Sequence, residues 1–268
     1  MTREAEPKLA DVARERKWLL ILVGLYALAA LVYVLMPGGG LAVSETLDDP
    51  GLDLPAWQLG LANVALILLV YSTLGLAGLW LARKAGLPGL YRAGAGRGEL
   101  IWRPMQTGIS VGIVLVLGDT VARLVTDFAG FPHPPFPASI LASFTAAVGE
   151  ELIFRLVVMS LWTTILSWLF SRVVLEEGAR SWAVWGANVI GALAFAAAHL
   201  GTATFVFGAR MPLTLPPVVL AEILLLNGLV GIVAGVAYAR DGLLAACGIH
   251  FWAGVVWHVI FGALSSLM

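Results

Sequence analysis

The sequence has too little charge to cover a water-soluble domain of its length. Only 12% of its 268 residues are Asp, Glu, Lys or Arg, whereas 60% are hydrophobic. Soluble domains carry roughly 25% charged residues. Here the apolar residues form runs of about 20 residues or more, which is the length that crosses a bilayer as a helix. The composition therefore predicts an integral, multi-pass membrane protein.

Cysteine is almost missing, and so are blocks of basic residues. Cys247 is the only cysteine, which excludes an intrachain disulfide and a metal site built from cysteines. The net charge is −1 and no basic block is present, so nothing indicates nucleic-acid binding. We expect the lipid bilayer, and no nucleic acid, among the partners.

Seven apolar runs predict the transmembrane helices. They cover residues 18–36, 57–82, 105–126, 138–170, 182–200, 214–239 and 243–266. The fourth run exceeds one bilayer crossing, so it tilts, projects from the membrane or breaks into two spans. The predicted fold class is all-α, a polytopic transmembrane bundle of seven or eight spans. Residues 1–17 form a polar tail, and residues 18–268 form a single membrane domain.

The distribution of positive charge predicts the orientation in the membrane. Arg14, Arg16 and Lys17 precede the first run, and the loop 83–103 contains five further basic residues. The loop 37–55 contains none. Since Lys and Arg favour the cytoplasmic side, we expect a cytoplasmic N-terminus and an external C-terminus. The first apolar run is too long for a cleaved signal peptide.

Nine ionisable residues fall within the apolar runs, where each costs roughly 3 kcal/mol to insert. They are Asp119, Arg123, Glu150, Glu151, Arg155, His199, Glu222, His250 and His258. Asp119 and Arg123 are four residues apart, as are Glu151 and Arg155, so each pair shares a helix face and can form an ion pair. Glu150 points about 100° away from Glu151 and is left without an arginine, which suits a general base.

The histidines lie in two further predicted helices. His199 follows Phe195 by one turn, and the alanines between them permit close helix approach. His250 is followed by His258 two turns later on nearly the same face, about 12 Å away. That rise is too large for both to bind one metal ion directly. Taken singly, each residue also fits a buried polar network or an interfacial position.

Glu150, His199 and His250 would allow hydrolytic chemistry if their helices converged in the bundle. The carboxylate would deprotonate a water molecule, and the histidines would orient that water or donate to the oxyanion that forms. The alternative is a metal-bound water, because two histidines and one glutamate form a common catalytic zinc set.

The order of these residues resembles the CAAX-protease and bacteriocin-processing family (CPBP, or Abi). That family has the motifs E-E-x-x-x-R, F-x-x-x-H and H-x-x-x-N in three transmembrane helices. Glu150, Glu151 and Arg155 match the first motif, Phe195 and His199 match the second, and His250 begins the third. The resemblance covers about residues 138–262 and implies a CAAX-protease-like helical core.

The resemblance implies an intramembrane endopeptidase. Glu150 would activate the water, and His199 and His250 would complete the catalytic centre. The supporting residues would be Glu151, Arg155, Phe195 and His258. A glutamate mechanism without a cofactor is favoured; in a metal-dependent one, Glu150, His199 and His250 would hold a divalent ion such as zinc. The substrate would be a membrane-associated peptide or protein, either a prenylated CAAX protein or a peptide precursor.

The chain departs from the family pattern at Gly254, where the third motif has Asn. Glycine cannot supply the side-chain donor to an oxyanion, and losing one such donor costs ~100- to 1,000-fold in rate. Either another donor replaces it, for which His258, Asn227 and Asn188 are candidates, or the protein is a catalytically inactive membrane scaffold or chaperone. A transporter is a third hypothesis, although the chain lacks the matched, interrupted helices of inverted repeats.

Overall fold

The computed structural model describes residues 9–36, 55–126, 128, 130–172, 176–208 and 214–265. Within these ranges the chain forms seven long helices and no strand. They are α1 Leu9–Leu35, α2 Ala56–Lys84, α3 Gly98–Val125, α4 Ala138–Phe170, α5 Glu176–Val206, α6 Pro217–Asp241 and α7 Leu243–Ser265. All seven are long and apolar enough to cross a bilayer, which confirms the predicted all-α polytopic bundle.

Several helices extend beyond the predicted apolar runs: α3 begins at Gly98 rather than at position 105, and α5 begins at Glu176 rather than at position 182. The fourth apolar run is one continuous helix of 33 residues, so no eighth span arises from it. Helix α1 already begins at Leu9, so residues 9–17 of the expected polar tail continue the first span as a helix. Helix α5 continues past position 200 to Val206, because no proline interrupts it there. Residues 1–8 of the tail and residues 37–54 of the acidic loop lie outside the described residues.

Helices α4 and α7 lie at the centre of the bundle. Helix α4 packs against α1, α2, α5 and α7, and α7 also packs against α3 and α6. Glycines permit close approach of α3 and α7: a Cβ on Gly108 would lie 2.5 Å from the Ile249 carbonyl oxygen, and one on Gly112 would lie 2.6 Å from Val256 Cβ. Large apolar side chains such as Leu69 and Trp182 are exposed on the outer surface, as expected where lipid replaces water.

Several of the described helices contain π-helical segments. These segments are Gly98–Trp102 in α3, Leu152–Met159 in α4, Ile223–Asn227 in α6 and Val255–Phe261 in α7. The last three begin directly after Glu151, Glu222 and Gly254, respectively. π-helical turns are rare and occur frequently at functional sites. The segments in α4, α6 and α7 therefore indicate a functional site among these three helices.

Candidate active site

Glu151 accepts two hydrogen bonds, one from its own helix and one that joins α4 to α7. Its side chain is fully buried, and its Oε2 accepts from Nε of Arg155, one turn further along α4, at 2.9 Å. Its Oε1 accepts from Nδ1 of His250 on α7, also at 2.9 Å. The Arg155 guanidinium lies 5.3 Å from the centroid of the Phe195 ring, a cation–π contact. The Glu151 charge is thereby compensated, and the His250 ring is held with no hydrogen bond to its Nε2 atom from the described residues.

The His199 ring is fixed by its own helix. Its Nδ1 atom donates to the carbonyl oxygen of Phe195 at 2.9 Å, so within the described ranges its Nε2 atom also has no hydrogen bond. The Phe195 ring lies between the two imidazoles, with centroid separations of 4.7 Å to His199 and 5.5 Å to His250. The F-x-x-x-H spacing thus has two consequences. The Phe195 carbonyl accepts the hydrogen bond from His199, and the Phe195 ring separates the imidazoles of His199 and His250.

Glu150 lies where the two free imidazole nitrogens converge. Its Oε2 atom is 3.7 Å from Nε2 of His199 and 3.8 Å from Nε2 of His250. These distances are too long for direct hydrogen bonds, and Oε2 is buried without a partner among the described residues. A single water between the atoms would satisfy such spacings. The structure therefore brings together the three residues to which the sequence analysis assigns catalysis.

The three side chains line a cavity of about 320 Å³ inside the bundle. Its walls come from α3, α4, α5, α6 and α7, and they are mostly apolar, with Leu115, Ile223 and Trp257 among them. Small-ligand sites are lined in this way and are often of this size, with a few polar groups that fix orientation. The cavity can therefore receive a short stretch of an apolar peptide.

His258 has a different environment from that of His250. It lines the same cavity, but its Nδ1 atom lies 3.2 Å from Nδ1 of His133, which is in the segment before α4. In this structure His258 therefore contacts the segment 130–137, and its role at the Glu150 centre stays a prediction.

The position of Gly254 is filled from the opposite helix. A Cβ at Gly254 would lie 3.0 Å from both Cβ and Oγ of Ser143 on α4. Ser143 also lines the cavity, and its hydroxyl donates to the Ser139 carbonyl oxygen at 2.8 Å. Sequence reasoning missed Ser143, because a serine in an apolar helix usually bonds its own backbone in just this way and carries no functional signal.

The two asparagines face different cavities. Asn227 lines the main cavity, and one of its amide hydrogens is donated to the Ile223 carbonyl oxygen at 3.1 Å, which leaves the other available. Asn188 donates to the Ile232 carbonyl oxygen and lines a separate, smaller cavity. Of these two candidate donors, only Asn227 faces the space in front of Glu150.

The donor set does not have the geometry of a metal centre. In the described ranges, no three His, Cys, Asp or Glu side chains are arranged to hold a metal ion. The Glu150–His199 and Glu150–His250 spacings of 3.7 and 3.8 Å exceed the roughly 3.3 Å that separates two ligands bound tetrahedrally to zinc at ~2.0–2.1 Å. The side chains would have to move closer together before an ion was bound.

Comparison with known proteins gives one match. A family model described as Rce1-like, type II CAAX prenyl endopeptidase, matches residues 132–256. The matched segment contains Glu150, His199 and His250, together with the glycine at position 254. No curated protein and no solved structure matches the chain.

Proposed function

We propose, from the match of residues 132–256 to the model of the Rce1-like CAAX prenyl endopeptidase family, that the protein is an intramembrane endopeptidase in which Glu150 activates the attacking water. One observation carries the proposal. The Oε2 atom of Glu150 is buried, accepts no hydrogen bond from the described residues, and lies 3.7 and 3.8 Å from two free imidazole nitrogens. A water held between these atoms would donate a proton to Glu150 as it attacks.

His199 has the geometry to orient this water. Its Nδ1–H is used by the Phe195 carbonyl, so in the neutral ring Nε2 carries a lone pair and accepts from the water. We assign His199 the role of holding the water in line with the scissile carbonyl.

His250 has the geometry to stabilise the intermediate. Its Nδ1–H donates to the Glu151 carboxylate, which holds the ring so that a proton on Nε2 would be donated to the oxyanion. Glu151 is itself held by Arg155. The E-E-x-x-x-R motif would thus supply the base from its first residue and the support for His250 from its second and last.

The chemical step can be followed atom by atom. The water oxygen bonds to the scissile carbonyl carbon while one of its protons passes to Glu150, and the carbonyl oxygen becomes an oxyanion. Collapse of the tetrahedral intermediate breaks the C–N bond, and Glu150 returns the proton to the leaving nitrogen. Asn227 and Ser143, both on the cavity wall, are the donors proposed to replace the side chain missing at Gly254.

The family supports a protein substrate that meets the enzyme within the bilayer. The proposed substrate is either a protein with a prenylated tail or an unmodified precursor peptide. A catalytically inactive scaffold is the second candidate, and the glycine at position 254 is the observation that favours it, because Ser143 occupies the space of an asparagine there.

Glu150→Gln distinguishes the two candidates. The change keeps the shape and one acceptor oxygen but removes the base, so we expect cleavage to fall at least about 1,000-fold, with folding unchanged. The measurement is the appearance of new N-termini in membranes containing the wild type or the variant, followed by cleavage of farnesylated and unmodified peptides by purified protein. Glu99→Gln, at the start of α3 and outside the cavity lining, is the matched control.

Equal cleavage by the wild type and Glu150→Gln would remove Glu150 from the chemistry. Absence of cleavage by the wild type on every substrate, with normal cellular behaviour of Glu150→Gln, would favour the scaffold. A chelator is expected to leave activity unchanged, since the donor spacings do not match a bound ion. Loss of activity that added zinc restores would replace the glutamate mechanism by a metal-bound water.

A further inference from the structure

A second group of ionisable side chains adjoins the same cavity, and one of them, Glu222 of α6, lines it. Asp119 of α3 is fully buried, and its Oδ2 atom accepts from Nε of Arg123, one turn further along the helix. Glu222 faces Asp119 within hydrogen-bonding reach. Two carboxyl groups this close share one proton, so the pair carries a single negative charge opposite Arg123.

Glu222 is the unsatisfied member of this group. Only 6% of the residue is exposed, yet neither of its carboxyl oxygens accepts a hydrogen bond from the described residues. The nearest cation, Arg123, is engaged by Asp119. A buried carboxyl without a donor is costly inside a membrane protein, and such a group on a cavity wall usually marks a ligand pathway or site.

The charges around Glu222 balance only while Asp119 and Glu222 share a proton, because the two carboxyl groups have one arginine between them. The neighbouring His133 uses its Nδ1 atom on His258. A positively charged group that entered the cavity would displace the shared proton and meet the two Glu222 oxygens, which accept no hydrogen bond from the described residues. These acceptors suit an ammonium or guanidinium group, which carries donors only.

We propose that Glu222, backed by Asp119, is a specificity subsite for a Lys or Arg side chain of the peptide substrate. The proposal rests on the proposed function, because it takes the cavity as the place where substrate lies. Glu222 would select the cationic residue, and the Asp119–Arg123 pair would fix the position of the second carboxylate.

The test measures binding separately from cleavage. A fluorescent apolar peptide carries a single Lys at successive positions, and matched peptides carry norleucine or acetyl-lysine there, which remove the charge and keep the chain length. Their affinity for the full chain in dodecyl maltoside is measured by fluorescence anisotropy. The proteins are the wild type, Glu222→Gln and the control Glu99→Gln.

We expect the Lys peptide to bind the wild type and Glu99→Gln at least about tenfold more tightly than the norleucine peptide at one position, which corresponds to one charge-assisted hydrogen bond. In Glu222→Gln the ratio should fall to about one. Equal binding of Lys and norleucine peptides at every position, or a preference retained in Glu222→Gln, would overturn the proposal. If Glu222→Gln does not fold, the affinities of the Lys and acetyl-lysine peptides for the wild type are compared instead. Equal affinities would then overturn the proposal.

The two proposals can fail separately. A Lys preference in binding without cleavage of any peptide would leave the subsite standing and refute the endopeptidase. Cleavage that depends on Glu150 but is indifferent to Lys would refute the subsite and keep the endopeptidase.

Discussion

Glu150 and Glu151 are adjacent in the sequence and have opposite surroundings. Glu151 is fully buried between Arg155 and His250, whereas a third of the Glu150 side chain is accessible from the cavity. The difference follows from the helical turn of about 100° between consecutive residues. One glutamate is thereby held in an ion pair inside the bundle, and the other is left facing the cavity.

Arg155→Ala should destabilise the protein strongly. The change leaves the fully buried Glu151 carboxylate without its cation, at a cost of roughly 3–5 kcal/mol. It also removes the guanidinium from the Phe195 ring. The free energy of unfolding can be measured by titration with SDS in mixed micelles, and the shift should be accompanied by loss of any cleavage activity.

Arg172→Ala is the control for Arg155→Ala. Arg172 follows α4, and its guanidinium stacks on exposed Trp168, so its removal should change stability by less than about 1 kcal/mol. If the two substitutions lowered the free energy of unfolding by similar amounts, the Glu151–Arg155 pair would not stabilise the fold more than a surface contact does.

Ser143 is an obstacle to restoring the asparagine of the family pattern at position 254. The Cβ of an asparagine there would lie 3.0 Å from Ser143, which is tighter than an ordinary contact. The sequence predicts the missing donor but not the serine that faces it, because that neighbour lies more than a hundred residues away along the chain. Ser143 would have to yield before an asparagine side chain at this position could reach the cavity.

At the scale of helices, the positions of the spans follow from the sequence, whereas their internal geometry does not. Apolar runs must form helices in a bilayer, since no other donor or acceptor is available to the backbone. The π-helical segments after Glu151, Glu222 and Gly254 depend on how α4, α6 and α7 pack on their neighbours. A calculation with 3.6 residues per turn cannot detect them.

The segment 130–137 is held against α7 by His133. Its ring contacts Trp257, His258 and Phe261 with centroid separations of 5.1, 5.3 and 5.7 Å. Its Nε2 atom is buried without a hydrogen-bond partner among the described residues. Burial lowers the pKa of His133 below its ordinary value and the charge of Arg123 lowers it further, although Asp119 acts in the opposite direction.

The depressed pKa of His133 predicts weaker folding in acid. Below about pH 6.5 the unfolded chain binds a proton at this residue more readily than the folded one does, so stability falls, with a slope of up to about 1.4 kcal/mol per pH unit. The loss stops growing once the pH is below the folded-state pKa. Unfolding measured between pH 8 and pH 5.5 should therefore be less pH-dependent in His133→Gln than in the wild type.

The comparison with His133→Gln isolates this residue, because the other three histidines remain in both proteins. At pH 8, where His133 is neutral, the two proteins differ by the lost ring contacts and by the lost Nδ1 contact with His258. An identical dependence on pH in both would show that His133 does not couple protonation to folding.

For the whole molecule, the orientation in the membrane is a prediction that can be measured directly. Ala93 and Phe136 are exposed at opposite ends of α3, and Cys247 is buried. In intact cells a membrane-impermeant maleimide should label Phe136→Cys and spare Ala93→Cys, because the basic loop that contains Ala93 favours the cytoplasm. Inverted vesicles should show the reverse, and the opposite result in both preparations would place the N-terminus outside.

Some features of the whole bundle could be predicted from the sequence, and others could not. The spans and the motif residues in α4, α5 and α7 could be predicted, because each leaves a local pattern of apolar runs or of ionisable residues within them. The Asp119–Glu222 contact and the His133–His258 contact could not, because each joins segments that are distant in the sequence. Intramembrane charges indicate that a site exists, but not which helices share it.

The hydrogen bond between Glu151 and His250 also bears on how the protein is made. Synthesis proceeds from the N-terminus, so α4 enters the membrane with Glu151 already neutralised by Arg155. His250 arrives only with α7, the last of the described helices. Under the roles proposed here, the nascent chain therefore has no complete proteolytic centre at the translocon, and hydrolysis begins only when insertion has finished.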